Sequence, residues 1–385
     1  GVGALFSKEF YQFLPHHLTD NGLFVQWVQL YEINDQLVAS ILAGLTTSSF
    51  SDYGAWLSNS TDLLIIATKN GPLPELDAQR VLDSPQLKAE LARLQLDSTQ
   101  RLAFRKVANA ELLRGMARYY GSLPTNSDFY PVLGLHAPKA RYLKSSADGI
   151  LTLPFYLPQL LETLAVRLPL PAAVSPSPLD HFIADVYTLR ARALAAAMRN
   201  QVIEEHADGR LNDKAVLPAL QIKALLSDCS TPWSAQRISS FSLRLRELAE
   251  RTLGHLNAPE LRGVFIEPKW AQCANMPFEF RAVFAILEAQ ARRDYAAMEK
   301  LGQQWLERPP QIAALQTDFS PMALSSILHS LAYQKRWSDL LKAEEMYGPK
   351  LTLDTIQATG LGLLVAIAQN HATPAARRAA SDERR

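Results

Sequence analysis

The feature that most constrains the fold is an apolar run at residues 23–28, which reads LFVQWV. Apart from Gln26, both faces of this run would be apolar if the chain were extended. Short runs rich in aromatic and β-branched residues are typical of strands that helices cover on both sides, as in parallel sheets. The sequence therefore predicts a central parallel strand at this position.

Helical and extended patterns alternate around this strand. Ser7 can cap a helix before it, and Asn34 can cap a second helix after it. Residues 51–57 and 63–67 then have strand character, and their close spacing predicts a hairpin. The order helix, strand, helix, strand, strand is that of a doubly wound sheet ending in an antiparallel hairpin.

Strand signals fade after Pro72, and residues 77–96 and 108–120 carry leucines at helical spacing. The stretch 168–178 is rich in proline, which excludes a regular helix or central strand and indicates a domain boundary. Nearly every later segment has a helical pattern. The predicted divisions are an α/β domain at 1–145, a proline-rich linker at 146–180, a helical domain at 181–372 and a disordered tail at 373–385.

Two late segments, 284–305 and 327–347, resemble each other. Each has a helical pattern, a short basic and polar turn with an aromatic residue, and a second helical pattern. Tyr295 and Trp337 occupy matching positions, and their spacing falls within the range of paired-helix repeats of the tetratricopeptide (TPR) type. An ordinary helical bundle accounts for the pattern equally well.

Charge and cysteine content restrict the function. The formal net charge of +1 gives no overall field that would favour nucleic acid. Cys229 and Cys273 are far apart and lack metal-ligand spacing, so we expect neither a disulfide framework nor a zinc site, and a reducing setting. No apolar run reaches the ~20 residues needed to cross a bilayer.

Several motifs occur in the order found in one enzyme family. They are LFSKEFY at 5–11, NGLFVQWVQLY at 21–31, DLLIIA at 62–67, and NSD at 126–128 followed by Pro131. Together they resemble the spermidine synthase (polyamine aminopropyltransferase) family, and most of all its bacterial branch that is fused to membrane segments. The resemblance covers about residues 1–145.

The resemblance implies that residues 1–145 are the C-terminal half of a Rossmann-like sheet of the methyltransferase and spermidine synthase type. The family's glycine-rich loop, ribose-binding acid and catalytic acid would all precede Gly1. We therefore expect a fragment with no catalytic residue of its own, inactive without its N-terminal half. The full-length protein would use decarboxylated S-adenosylmethionine, or S-adenosylmethionine, and a polyamine, with no metal. We expect the full-length protein in the cytoplasm, and on the cytoplasmic side of the inner membrane if membrane segments precede Gly1.

Three residues are candidates for substrate binding: Gln26, Gln29 and Asp128. Gln26 lies at the end of the predicted central strand, where open α/β sheets place their ligands, and Gln29 follows on the same strand. Asp128 could contribute a carboxylate from the loop that resembles the family motif. The alternative roles are structural, since Gln26 could satisfy nearby backbone groups and Asp128 could cap its loop.

Two alternative functions remain open. Methyl transfer from S-adenosylmethionine shares the fold with aminopropyl transfer, and the fold alone cannot choose between them. The helical region from about residue 180 onward could instead be a non-catalytic module that binds a peptide or a partner helix. We expect no nucleic-acid partner, and membrane contact only through segments that precede Gly1.

Overall fold

The computed structural model describes residues 2–75, 78–94, 96–174, 183–201, 213–267 and 273–372. The predicted tail at 373–385 and part of the predicted linker lie outside these residues. The chain is a mixed α/β protein, mostly helical, with one small sheet. It divides into two compact units: unit 1 is the described part of Gly1–Leu157, Leu164–Leu168 and Gly362–Arg385, and unit 2 is that of Pro158–Thr163 and Pro169–Leu361. These divisions differ from the predicted domain limits.

The sheet of unit 1 has four strands in the order β1-β3-β2-β4, and every neighbouring pair is antiparallel. Since β1 and β2 both run antiparallel to β3, they are parallel to each other. The register places Gln26 and Ala55 on either side of Ile65. The strands are β1 Leu23–Gln29, β2 Asp52–Leu57, β3 Asp62–Thr68 and β4 Lys106–Asn109.

Helices account for most of the remaining described residues. Unit 1 contains α1 Lys8–Phe13, α2 Asp35–Thr46, α3 Ala78–Leu82, α4 Pro85–Arg93, α5 Thr99–Ala103, α6 Ala110–Tyr119, α7 Val132–Tyr142, α8 Asp148–Leu151 and α9 Leu153–Tyr156. Unit 2 contains α10 Pro158–Thr163, α11 Ile183–Met198, α12 Asp213–Leu226, α13 Ala235–Thr252, α14 Ala258–Leu261, α15 Phe280–Arg292, α16 Tyr295–Glu307, α17 Ala313–Tyr333 and α18 Trp337–Tyr347. The last helix, α19 Thr355–Ala372, begins in unit 2 and continues into unit 1.

The predicted hairpin is confirmed by β2 and β3, but the prediction of a central parallel strand at 23–28 is wrong for the described residues. β1 lies at the edge of the sheet and pairs with β3 alone. The side chains of Leu23, Val25 and Trp27 point to one face and are about half exposed. Because side chains alternate along a strand, the apolar run places one set of side chains on the packed face and leaves Leu23, Val25 and Trp27 on the open face.

The region after Pro72 was predicted to be helical, and the structure adds a strand there. β4 has four residues, too few for an alternating pattern to be recognised in the sequence. The predicted helix at 77–96 is replaced by α3 and α4, which Ser84-Pro85 separates. Proline at the first position of α4 has no N–H to offer the preceding turn, so the earlier helix ends there.

One face of the sheet is covered by helices α1, α2 and α6. The side chain of Asn34 caps α2 by accepting a hydrogen bond from the Leu37 N–H at 3.0 Å, as its position in the sequence predicts. α2 is buried along most of its length against the sheet and α6. Gly115 of α6 packs closely against α19, since a Cβ there would lie 2.5 Å from Ile367.

Unit 2 contains two helical hairpins whose turns have the same backbone. Arg293, between α15 and α16, and Lys335, between α17 and α18, have φ angles of 54° and 56°. The next N–H in each turn donates to the carbonyl five residues earlier, from Asp294 at 3.0 Å and from Arg336 at 2.8 Å. This is the Schellman arrangement that ends helices in the left-handed conformation. The two segments that resemble each other in sequence therefore share one hairpin geometry.

A disulfide joins Cys229 to Cys273 in unit 2. The expectation that these cysteines form no disulfide was wrong, because 44 residues separate them in sequence and the fold of unit 2 brings them together. The bond connects the segment after α12 to the segment before α15. Disulfides are typical of oxidising compartments, so the cysteines give no support to the expected reducing setting.

We predict that replacing both cysteines with serine destabilises unit 2 by up to about 4 kcal/mol, because the open loop regains conformational entropy in the unfolded chain. Urea unfolding of the oxidised protein and of the C229S/C273S variant measures this difference. Adding a reductant should lower the stability of the wild-type chain and leave the variant unchanged. An equal response of both proteins would contradict a structural role for the bond.

Candidate functional site

The chain leaves β1 through a loop at 30–34 that is fixed on two sides. The N–H of Leu30 donates to the carbonyl of Thr61 at 2.8 Å, and the carbonyl of Leu30 accepts from the N–H of Ala147 at 2.9 Å. Glu32 has a φ angle of 56°, a left-handed conformation that costs energy for a residue other than glycine. The loop is therefore held in one strained conformation beside the carboxyl end of β1.

Asp35, in the first turn of α2, holds the next segment against this loop. Its two carboxylate oxygens accept hydrogen bonds from the backbone N–H groups of Gly149, at 3.1 Å, and Ile150, at 3.0 Å. Burial raises the pKa of Asp35, and the two hydrogen bonds lower it. The charge of Asp148 raises it again, so the net shift is upward. A carboxylate with a raised pKa thus lies at the end of β1.

Tyr120 places a hydroxyl group beside this carboxylate. Its oxygen is buried and has no hydrogen-bond partner among the described residues. Burial raises the pKa of Tyr120, and the charge of Asp35 adds to the effect. A Cβ at position 149 would lie 2.5 Å from the Tyr120 hydroxyl, so this approach requires Gly149. We refer to Glu32, Asp35, Tyr120 and Asp148 as the β1-end site.

The β1-end site is negatively charged. Three of its residues are acidic, and one of them, Glu32, forms an ion pair with Arg141 at 3.2 Å. The carboxylates carry the charge that suits a protonated amine, and the Tyr120 hydroxyl has no partner among the described residues. Asp35 and Tyr120 were not recognised in the sequence, because Asp35 follows a helix cap and Tyr120 ends a helix, and both patterns have structural explanations.

Gln26 has no role at the β1-end site in this structure. It is 9% exposed and faces α1, where the Tyr11 hydroxyl donates to its Oε1 at 2.5 Å. Its Nε2 donates to the carbonyl of Leu5 at 2.9 Å. Both ends of the amide are thus satisfied inside unit 1. This agrees with the structural alternative for Gln26, which holds the N-terminal segment on the sheet.

Gln29 and Asp128 lie in different surroundings. Gln29 is the last residue of β1, adjoins the loop at 30–34 and points to the face opposite Gln26. Asp128 is exposed, and its backbone N–H donates to the carboxylate of Glu9 at 3.0 Å. The structure therefore does not bring the three predicted residues together. Gln29 is the one that borders the β1-end site.

The loop that carries Asp128 is organised by Asn126, which is 1% exposed. Its Oδ1 accepts from the Leu133 N–H at 3.1 Å, and its Nδ2 donates to the carbonyl of Gly3 at 3.0 Å. Its backbone carbonyl accepts from the Lys8 N–H at 2.9 Å. The NSD motif thus joins the N-terminal segment to α7.

We predict that Tyr11→Phe destabilises unit 1 by about 1 to 3 kcal/mol, because it leaves the buried Oε1 of Gln26 without a donor. Urea unfolding measures the loss. Tyr142→Phe is the matched control, since that side chain is 86% exposed and its hydroxyl can bond to water. A Tyr11→Phe protein as stable as the control would show that the buried bond is dispensable.

Unit 2 contains a second buried polar cluster, between α10, α16 and α17. His329 and Thr163 share a hydrogen bond of 2.7 Å. The adjacent Ser330 hydroxyl donates to the carbonyl of Tyr295 at 2.6 Å, and the Tyr295 ring stacks on Tyr333 with centroids 3.8 Å apart. Burial lowers the pKa of His329 to about 4. The cluster therefore contains a neutral imidazole at pH 7.

We predict that His329 makes unit 2 less stable as the pH falls from about 6.5 to about 4. The unfolded chain binds a proton on this imidazole in that window and the folded chain does not, so stability decreases by roughly 3 kcal/mol. Urea unfolding across this range measures the slope, and His329→Gln should flatten it. A slope that is unchanged in the variant would assign the pH dependence to other groups.

No family model, curated protein or solved structure matches this chain. Within the described ranges, no group of three or more His, Cys, Asp or Glu side chains is arranged to hold a metal ion. Among the helices of those ranges, none combines the length and the apolar character that crossing a bilayer requires.

Proposed function

We propose that unit 1 is the C-terminal part of a spermidine-synthase-like transferase domain, and that the complete protein transfers an aminopropyl group from decarboxylated S-adenosylmethionine to a polyamine. The observation that carries this proposal is the strand order β1-β3-β2. β1 and β2 are parallel, α2 connects them, and the last strand of the hairpin enters between them. A doubly wound sheet that ends in an antiparallel hairpin has this arrangement.

The free edge of β1 supports the same proposal. Among the described residues, β1 has a strand partner on one side only, and the apolar side chains of Leu23, Val25 and Trp27 remain partly exposed on the open face. An edge strand with exposed apolar side chains is unfavourable unless further structure covers it. Additional parallel strands beside β1 would cover the edge, and the helices that connect such strands would cover the face.

The β1-end site would contact the polyamine. It lies at the carboxyl end of a strand, where open α/β sheets bind their ligands, and its carboxylates match the charge of protonated amines. Of the residues predicted from the sequence, Gln29 adjoins this site, Asp128 offers an exposed carboxylate elsewhere, and Gln26 supports the sheet from its covered face. We assign no catalytic role to the four residues of the β1-end site.

Methyl transfer from S-adenosylmethionine is the alternative within the same fold. The strand order is compatible with either donor, since function depends on the site and not on the fold. The acidic β1-end site favours aminopropyl transfer, because the acceptor in that reaction is a polycation. A neutral methyl acceptor would gain little from three carboxylates.

We predict that the chain binds spermidine and that Glu32→Gln combined with Asp148→Asn weakens binding by about fivefold or more, since each lost ion pair at a partly exposed site contributes up to ~1 kcal/mol. Isothermal titration calorimetry at low salt measures the affinity. Glu90→Gln on α4, an exposed acid that pairs with Arg93, is the matched control. Absence of spermidine binding, or an equal effect in the control, would contradict a polyamine site at the end of β1.

A protein-binding role for unit 2 is the second candidate function. The observation that favours it is that the same turn occurs at Arg293 and Lys335, 42 residues apart, within two segments of similar sequence, as consecutive helical repeats would have it. Arg336 also connects the two hairpins, because its guanidinium lies 2.8 Å from the carboxylate of Glu299 on α16. If the chain bound no polyamine, a protein-binding repeat module would explain unit 2 better than a transferase would.

A further inference from the structure

The surface of α7 has an arrangement that neither the β1-end site nor the helical repeat explains. Val132, Leu133 and Ala140 pack inward, and the opposite side of the helix is open to solvent. Leu135, Pro138 and Tyr142 lie along that open side at the spacing i, i+3, i+7, which places them in one line. We refer to these three residues as the α7 stripe.

The α7 stripe is unusually exposed for apolar side chains. Leu135 is 57% exposed and Tyr142 is 86% exposed. Two apolar side chains next to α7 in sequence are also exposed: Phe129 in the preceding loop is 94% exposed, and Leu143 after the helix is 60% exposed. Isolated exposed apolar residues are common on proteins, but a contiguous set on one helix indicates a surface that contacts something.

Cations lie on both sides of the α7 stripe. On a helical projection, Lys139 falls on one margin of the stripe and Arg141 on the other, and Lys144 follows at the end of the helix. From residue 129 to residue 147 the sequence has no acidic residue. Asp128 and Asp148 stand at the two ends of this segment, Glu9 accepts from the Asp128 N–H at 3.0 Å, and Glu32 pairs with Arg141.

We propose that the α7 stripe docks unit 1 on the surface of an anionic lipid bilayer. Interfacial helices place apolar and aromatic side chains at the boundary between headgroups and acyl chains, and their flanking lysines and arginines contact the anionic headgroups. Tyr142 suits this depth because its ring is apolar and its hydroxyl remains in the hydrated region. The long side chains of Lys139 and Arg141 can reach outward while their methylenes cover apolar surface.

The charge pattern favours a bilayer over the other occupants. Nucleic acid would use the cations but would leave Leu135 and Pro138 without a role. The stripe is the outward, convex side of a helix, a shape that suits a broad surface better than a peptide segment. An anionic bilayer matches both the apolar line and the positive margins.

The test is flotation of the full chain with two kinds of vesicle, phosphatidylcholine alone and phosphatidylcholine mixed with phosphatidylglycerol. We expect at least tenfold stronger partition into the mixed vesicles, weakened by salt. Lys139→Gln with Lys144→Gln should reduce that partition about fivefold per lysine, and Leu135→Ser with Tyr142→Ser should reduce it at least tenfold. All four side chains are exposed, so circular dichroism should show unchanged folding.

Leu87→Ser and Lys88→Gln on α4 are the matched controls, since both side chains are exposed on another helix of unit 1. They should leave partition unchanged. Failure to float with the mixed vesicles, equal partition into both kinds of vesicle, or an equal loss in the controls would overturn the proposal. A dimer in light scattering that Leu135→Ser with Tyr142→Ser abolishes, without vesicle binding, would assign the stripe to contact between two copies.

Discussion

The structure of unit 1 depends on the position of β3 between β1 and β2. Because β3 runs antiparallel to both, β1 and β2 are parallel, and the connection between them must cross one face of the sheet. α2 makes that connection and is buried in doing so. The crossing also places the start of α2, with Asp35, beside the carboxyl end of β1, so the same constraint creates the core and the candidate site.

The sequence predicted the parts of the fold that have local patterns. The cap at Asn34, the apolar stripe of α2 and the hairpin at 51–67 each depend on residues near in sequence, and all three are present. The edge position of β1 could not be predicted, because the composition of a strand does not specify how many neighbours it has. β4 was too short to recognise, and the pairing of Cys229 with Cys273 depends on long-range packing.

The candidate site was only partly predictable for a related reason. Gln26 was predicted to bind substrate because it is a polar residue in an apolar strand, but in the folded chain Tyr11 and the carbonyl of Leu5 use both ends of its amide. The Tyr120 hydroxyl comes close to Gly149, and this proximity exists only in the folded chain. Sequence patterns identify chemical groups, whereas proximity determines which of them act together.

The packing of α19 on α6 has a consequence for biosynthesis. Arg118 donates to the side chain of Gln369 at 2.8 Å, and Glu111 lies 2.8 Å from His371, so α6 is completed by residues about 250 positions later. During translation, this surface of α6 remains uncovered until about 250 further residues have been synthesised. Unit 1 therefore reaches its final packing only after α19 is synthesised, although its strands are synthesised earlier, and a nascent chain exposes Gly115 and its surroundings to chaperones over that interval.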